Sequence, residues 1–145
     1  MNQQRNHRGG HNRPRQELPE LDTTAIRFDE VDADLFSEVA ENTARVIAAN
    51  RSSNKATQLR RFYDEIVMWD NKVMMYQSRF NEYLPFIRML NAKVAYAKGR
   101  KLVDDNFTKL LSHCLGQVNT PEQMQTFKLF MEAFMGFYKV ERPRD

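Results

Sequence analysis

From Thr57 to Leu84 the chain keeps one period. Leu59, Phe62, Tyr63, Ile66, Trp69, Val73, Phe80 and Leu84 fall on a single stripe at about 100° per residue, with polar residues between them. Only an α-helix puts such a stripe on one face. Unbroken, the helix would be about 40 Å long at about 1.5 Å per residue. No segment of the chain alternates with period two, and no turn pair reads as a hairpin, so the class is all-α.

Other helices follow from the same period. Leu35, Phe36, Val39, Val46 and Ile47 share one face of a first helix over about Ala33 to Ala49, with Asp32 or Asp34 placed to cap it. Pro85 either opens a new helix or kinks the long one. Beyond it Ile87, Leu90, Val94 and Ala97 point inward, and Gly99 ends the run and reverses the chain. A further helix covers about Asp104 to Leu115, with Phe107, Leu110, Leu111 and Cys114 inward and Gly116 as its stop. "NTPEQ" is a start signal, with Thr120 as cap, Pro121 at the first position and Gln123 completing a capping box. The last helix, to about Tyr138, carries Met124, Phe127, Phe130, Met131, Phe134, Met135, Phe137 and Tyr138 over about half its circumference. That width suits a helix at the centre of the bundle, and part of it also suits a subunit interface. The expected architecture is a compact bundle of about five helices over residues 31–145, behind a disordered or extended tail over 1–30.

Charge is segregated. Residues 1–15 hold four arginines and no acid, and 16–50 hold nine acids against two arginines. Residues 51–101 hold eleven Lys and Arg against four acids, which leaves a net charge of only +3 for the whole chain. The basic block either faces a polyanion or pairs with the acidic one. There is no apolar run long enough to span a bilayer and no apolar stretch behind the basic N-terminus, so neither a membrane nor secretion is expected. The single cysteine, Cys114, allows no intrachain disulfide and fits a reducing cytoplasm.

Catalytic chemistry has little to stand on. The chain has no phosphate-binding glycine loop, nucleophile elbow or metal-ligand set. His7 and His11 lie in the polar tail without thiolates or carboxylates nearby, and no cofactor is expected. His113 and Cys114 are consecutive on a helix and diverge by about 100°, so neither activates the other. Asp70 falls inside the apolar stripe, where a buried carboxylate calls for a cation or hydroxyl from a neighbouring helix. The cations are better ordered. On an unbroken long helix Arg61, Lys72 and Arg79 stand in one row, and Lys93 and Arg100 line up on the next if it holds through Gly99. Such rows suit a phosphate backbone, though spacing alone favours a plain solvated face.

Three segments go further. "NKATQLRRFYDEIV" (54–67), "LPFIRMLNAKVAYAKGR" (84–100) and "FKLFMEAFMGFYK" (127–139) together resemble the small subunit of type III-A CRISPR effector complexes, the Csm small subunit. The likeness covers about residues 51–140, the second segment is the most specific, and the loop before Gln58 is shorter than in many members. The resemblance implies a non-catalytic helical protein that stacks in repeated copies beside the large polymerase-like subunit and the backbone subunits. It would lie along the guide RNA–target RNA duplex and touch mainly the target backbone. Carried onto this chain, the motif cations are Arg60, Arg61, Lys93 and Arg100, with Lys55, Lys98 and Lys101 beside the motifs. Not every motif residue need touch RNA: Val94, Tyr96 and Ala97 are better explained by packing. A helical adaptor whose basic block docks an acidic protein, or its own acidic segment, is the alternative.

Overall fold

The computed structural model describes residues 17–145, so the expectations for the tail ahead of residue 17, His7 and His11 included, lie outside it. The described residues hold helices α1 (Ala40–Ala48), α2 (Ala56–Met75), α3 (Phe80–Arg88), α4 (Leu90–Gly99), α5 (Asp105–Gly116) and α6 (Pro121–Glu141). α3 runs into α4 through Met89 (φ −60°, ψ −18°). Bonds from Met89 N to Pro85 O (3.2 Å) and from Lys93 N to Met89 O (3.1 Å) carry the ladder across. Counted as one element, they give the five-helix, strand-free fold that the periodicity implied.

The long helix does not continue to Leu84. α2 stops at Tyr76 (φ −136°, ψ 63°), and after a 3₁₀ turn, Gln77–Arg79, α3 runs back along it. The Trp69 ring lies 5.9 Å from Tyr83 and 6.2 Å from Phe86, centroid to centroid. On a straight helix those residues would be separated by roughly 21–26 Å, so the reversal is what brings them together. Val73 and Phe80 are both buried and seven residues apart. They therefore stay in helical phase across the break, and the stripe reads as unbroken. Pro85 neither opens a helix nor kinks the long one. It sits inside α3, where its missing donor leaves the Asn81 carbonyl without the usual partner.

α6 is central, with Met124, Phe127, Phe130, Met131, Phe134 and Tyr138 buried, and both α1 and α2 pack against it. α1 is preceded by a π-helical turn, Leu35–Val39, closed by Val39 N donating to Asp34 O (3.0 Å). Asp32 and Asp34 do not cap it; the Asp32 carboxylate instead accepts from Asp34 N (2.8 Å).

The core begins ahead of residue 31. Leu21, Ile26 and Phe28 are buried in it, and the Phe28 ring meets those of Phe127 (6.0 Å) and Phe130 (6.1 Å). This irregular segment is stitched to α5. Gln117 accepts from Phe28 N (2.9 Å) and donates to Ile26 O (2.8 Å), while Asn106 accepts from Leu21 N (3.0 Å). With no helical period to mark them, these three apolar residues look like tail in the sequence.

Among the described residues two positions adopt a left-handed backbone, and neither is a glycine. Lys101 (φ 62°) follows α4, with Leu102 N donating to Ala97 O (3.0 Å) and Lys101 N to Lys98 O (2.8 Å). That pattern is a Schellman cap, so the reversal expected at Gly99 occurs at Lys101. Asn54 (φ 59°) is fully buried between α1 and α2.

Candidate nucleic-acid interface

The reversal after α2 lays α3 and α4 antiparallel to it, and three contacts fix the register. Trp69 meets Phe86, the Glu65 carboxylate pairs with the Lys93 ammonium, and Asn54 N donates to Leu102 O (3.0 Å). Helical spacing then orders the side chains. Arg61, Glu65, Met68 and Lys72 form one row on α2, while Phe86, Met89, Lys93, Tyr96 and Arg100 form one row on α3 and α4. The Glu65–Lys93 pair shows that the two rows are neighbours. Together they make a seam of cations and exposed apolar rings.

Within this seam Lys93 and Arg100 stand in line, because α4 holds through Gly99 and Arg100 N still donates to Tyr96 O (3.1 Å). Arg61 and Lys72 share the α2 row. Arg79 leaves it, since the helix ends first; its guanidinium bonds Glu82 (3.0 Å) and lies 5.5 Å from the Tyr83 ring. The Glu82 hydrogen bond raises the Arg79 pKa above its ordinary value.

The motif cations do not form one patch. Arg60 points about 100° away from Arg61, into a cleft between α2 and α6 bordered by Tyr63, Met135 and Lys139, with Asp64 3.9 Å from its guanidinium. Lys98 faces the start of α5 and pairs with Asp105. Lys55 stands at the N-cap of α2 and Lys101 in the turn after α4. Lys93 is neutralised by Glu65, whereas Arg61, Lys72, Arg100, Lys55 and Lys101 make no ion pair among the described residues.

The acidic block does not cover the basic one. Its ion pairs run from Glu41 to Arg45, from Asp29 and Glu30 to Arg27, and from Glu20 to Lys109. Among the described residues none reaches a cation of residues 51–101, so docking of the basic block on its own acidic segment is overturned.

Three apolar side chains on α3 and α4 lie outward, and of these only Tyr96 was read as packing in the sequence. Tyr96, assigned to packing, is 69% exposed. Phe86 and Met89 are 55% and 52% exposed. Each lies one position off the buried phase set by Ile87, Leu90, Val94 and Ala97, and that offset was the signal for finding them. Asp70 is buried as expected, but Oδ1 has no hydrogen-bond partner and no cation lies within ion-pair distance. Burial pushes its pKa up, opposed by the Lys128 ammonium on α6. His113 is half-buried against the irregular N-terminal segment, with Nε2 2.7 Å from Ile26 O, while Cys114 is buried and burial drives its thiol pKa far up. The two do not face each other.

Residues 30–144 match the family described as Csm2 Type III-A. The chain belongs to that family. No curated protein and no solved structure matches it. As a Csm2 family member, it is a small subunit of the type III-A CRISPR effector, the Csm complex. Among the described residues no helix is long and apolar enough to cross a membrane.

Proposed function

We propose that this Csm2 protein is a non-catalytic lining subunit of the cytoplasmic Csm complex, holding the target strand of the guide–target duplex by its phosphates. The supporting observation is the seam. Arg61, Lys72 and Arg100 make no ion pair among the described residues and stand on two packed helices, so their charge is displayed at fixed spacing rather than spent on described carboxylates. Sequence-blind contacts are what a guide-directed assembly needs, because base pairing already selects the target. The partners are the large polymerase-like subunit, the backbone subunits, sister copies and the duplex itself. Lys55 and Lys101 lie beyond the α4 end of the seam and extend it. Lys93 and Lys98 contribute less, since binding RNA would first break pairs with Glu65 and Asp105.

The test replaces Arg61 and Arg100 by Ala in the assembled complex. Target-RNA affinity should fall about tenfold or more at low salt, and log affinity should fall less steeply with log salt by up to about two phosphate contacts. Lys93→Ala and Lys98→Ala should each cost less than either arginine. Unchanged affinity and salt slope in the double variant, with normal incorporation, would instead favour an adaptor with a protein partner.

A further inference from the structure

The cations account for only half of the seam. Between them lie rings and thioethers that a purely electrostatic surface would not display: Phe86, Met89 and Tyr96, all more than half exposed. The inner face of Phe86 rests on Trp69 in a near-parallel stack, at 6.2 Å and an interplanar angle of 15°. Trp69 is held in turn by Tyr83, and the Lys72 ammonium stands 5.0 Å from its ring centroid. Further along the same row, the Arg100 guanidinium lies 5.7 Å from the exposed Tyr96 ring. All three cation–ring pairs found among the described residues belong to the α2–α3–α4 hairpin.

Phe86, an exposed ring backed by Trp69, and Tyr96, a second exposed ring, interleaved with cations that make no ion pair among the described residues, have the chemistry that single-stranded nucleic acids recognise. Bases stack on the rings while Lys and Arg hold the flanking phosphates. A base-paired A-form duplex offers no such face, since its bases already stack on one another. The core of a protein interface is depleted in lysine and carboxylates, though not in arginine, and this seam carries Lys72 and the Lys93–Glu65 pair. Phe86 and Tyr96 are ten residues apart on continuous helix, about 15 Å, so two stations can engage one strand.

We infer that Phe86, backed by Trp69, is a stacking platform for an unpaired RNA base, with Tyr96 as a second station. The inference rests on the RNA reading above and adds to it. Phosphate contacts alone do not distinguish paired from unpaired strands, whereas this platform favours the unpaired one.

Trp69 is the only tryptophan in the chain and reports on the site directly. The full-length protein is titrated with a single-stranded oligoadenylate and with an RNA duplex of equal length, following tryptophan emission. The single strand should quench emission and the duplex should not. Phe86→Ala should weaken single-strand binding about tenfold, leaving duplex binding and salt slope as they were. Phe86→Leu, which keeps apolar area without a π face, should lose as much, and Phe86→Tyr should restore binding. Equal binding of both RNA forms, unaffected by Phe86→Ala, overturns the platform while the backbone reading stands. Loss of all RNA binding in the Arg61 and Arg100 variant, with Phe86→Ala neutral, has the same meaning. If Phe86→Ala instead abolishes self-association measured by sedimentation and leaves RNA binding untouched, the face belongs to a second copy and the inference fails.

Discussion

Lys101 adopts a conformation that costs an L-residue roughly 1–2 kcal/mol and a glycine almost nothing. Lys101→Gly should therefore stabilise the protein by about 1 kcal/mol, raising the melting temperature by a few degrees. Lys101→Ala keeps the strained backbone and should leave thermal stability nearly unchanged, so the pair separates strain from charge. Asp70 works against the fold in a different way. Burial raises its pKa, so the folded state holds the proton more tightly than the unfolded chain, where the ordinary value is 3.8. Below that value both states are protonated and the group costs nothing. As pH rises through the folded pKa the carboxylate ionises beside an apolar core and stability is lost. Asp70→Asn should gain about 1 kcal/mol at neutral pH, and the gain should vanish in acid-side melts below pH 3.8. A gain independent of pH would show that charge is not the cause.

At the scale of elements, the Thr120 cap of α6 was legible, whereas the cap read at Asp32 or Asp34 failed and the junctions left no local mark. Thr120 Oγ1 accepts from Gln123 N (3.1 Å) and Asp104 accepts from Phe107 N (3.0 Å), both local signals with near-neighbour partners. The Gln123 side chain closes its box one residue early, on Asn119 N (2.9 Å). Asn54 had no such signature. Its amide donates to Ile47 O (3.2 Å) and accepts from Asp104 N (3.0 Å), while its carbonyl accepts from Tyr138 and from Arg142 (3.2 Å). One residue thereby ties the end of α1 and the starts of α2 and α5 to the end of α6. Asn54→Ala would leave buried polar groups unpaired and put at φ 59° a residue that tolerates the left-handed region less well than asparagine. A loss of about 3 kcal/mol is expected, read as a lowered urea midpoint. The same junction holds Arg142, buried against the carbonyls of Asn50 (3.1 Å) and Ser53 (2.7 Å). This cation faces its own fold, and only its partners reveal that.

For the whole molecule, charge distribution is the property that carries to function. Among the described residues the acidic and basic blocks form no ion pair with each other: Arg45 pairs with Glu41 inside the acidic block and Lys93 with Glu65 inside the basic one. The free protein should consequently bind RNA weakly and without sequence preference, and the affinity should fall steeply with salt. Tight, sequence-selective binding by the isolated chain, measured by filter binding across unrelated oligonucleotides, would contradict the lining role. Helical class, the inward faces of most helices, the cap of α6 and the family were all written in local patterns. A period, a capping residue or a motif needs only neighbours in the chain. The break at Tyr76, the burial of Leu21, Ile26 and Phe28, and the pairing that sets Lys93 apart from Arg100 depend on residues far along the sequence. Only packing decided them, because a stripe in phase looks the same whether the helix continues or folds back, and a cation looks free until the carboxylate across the groove is in place.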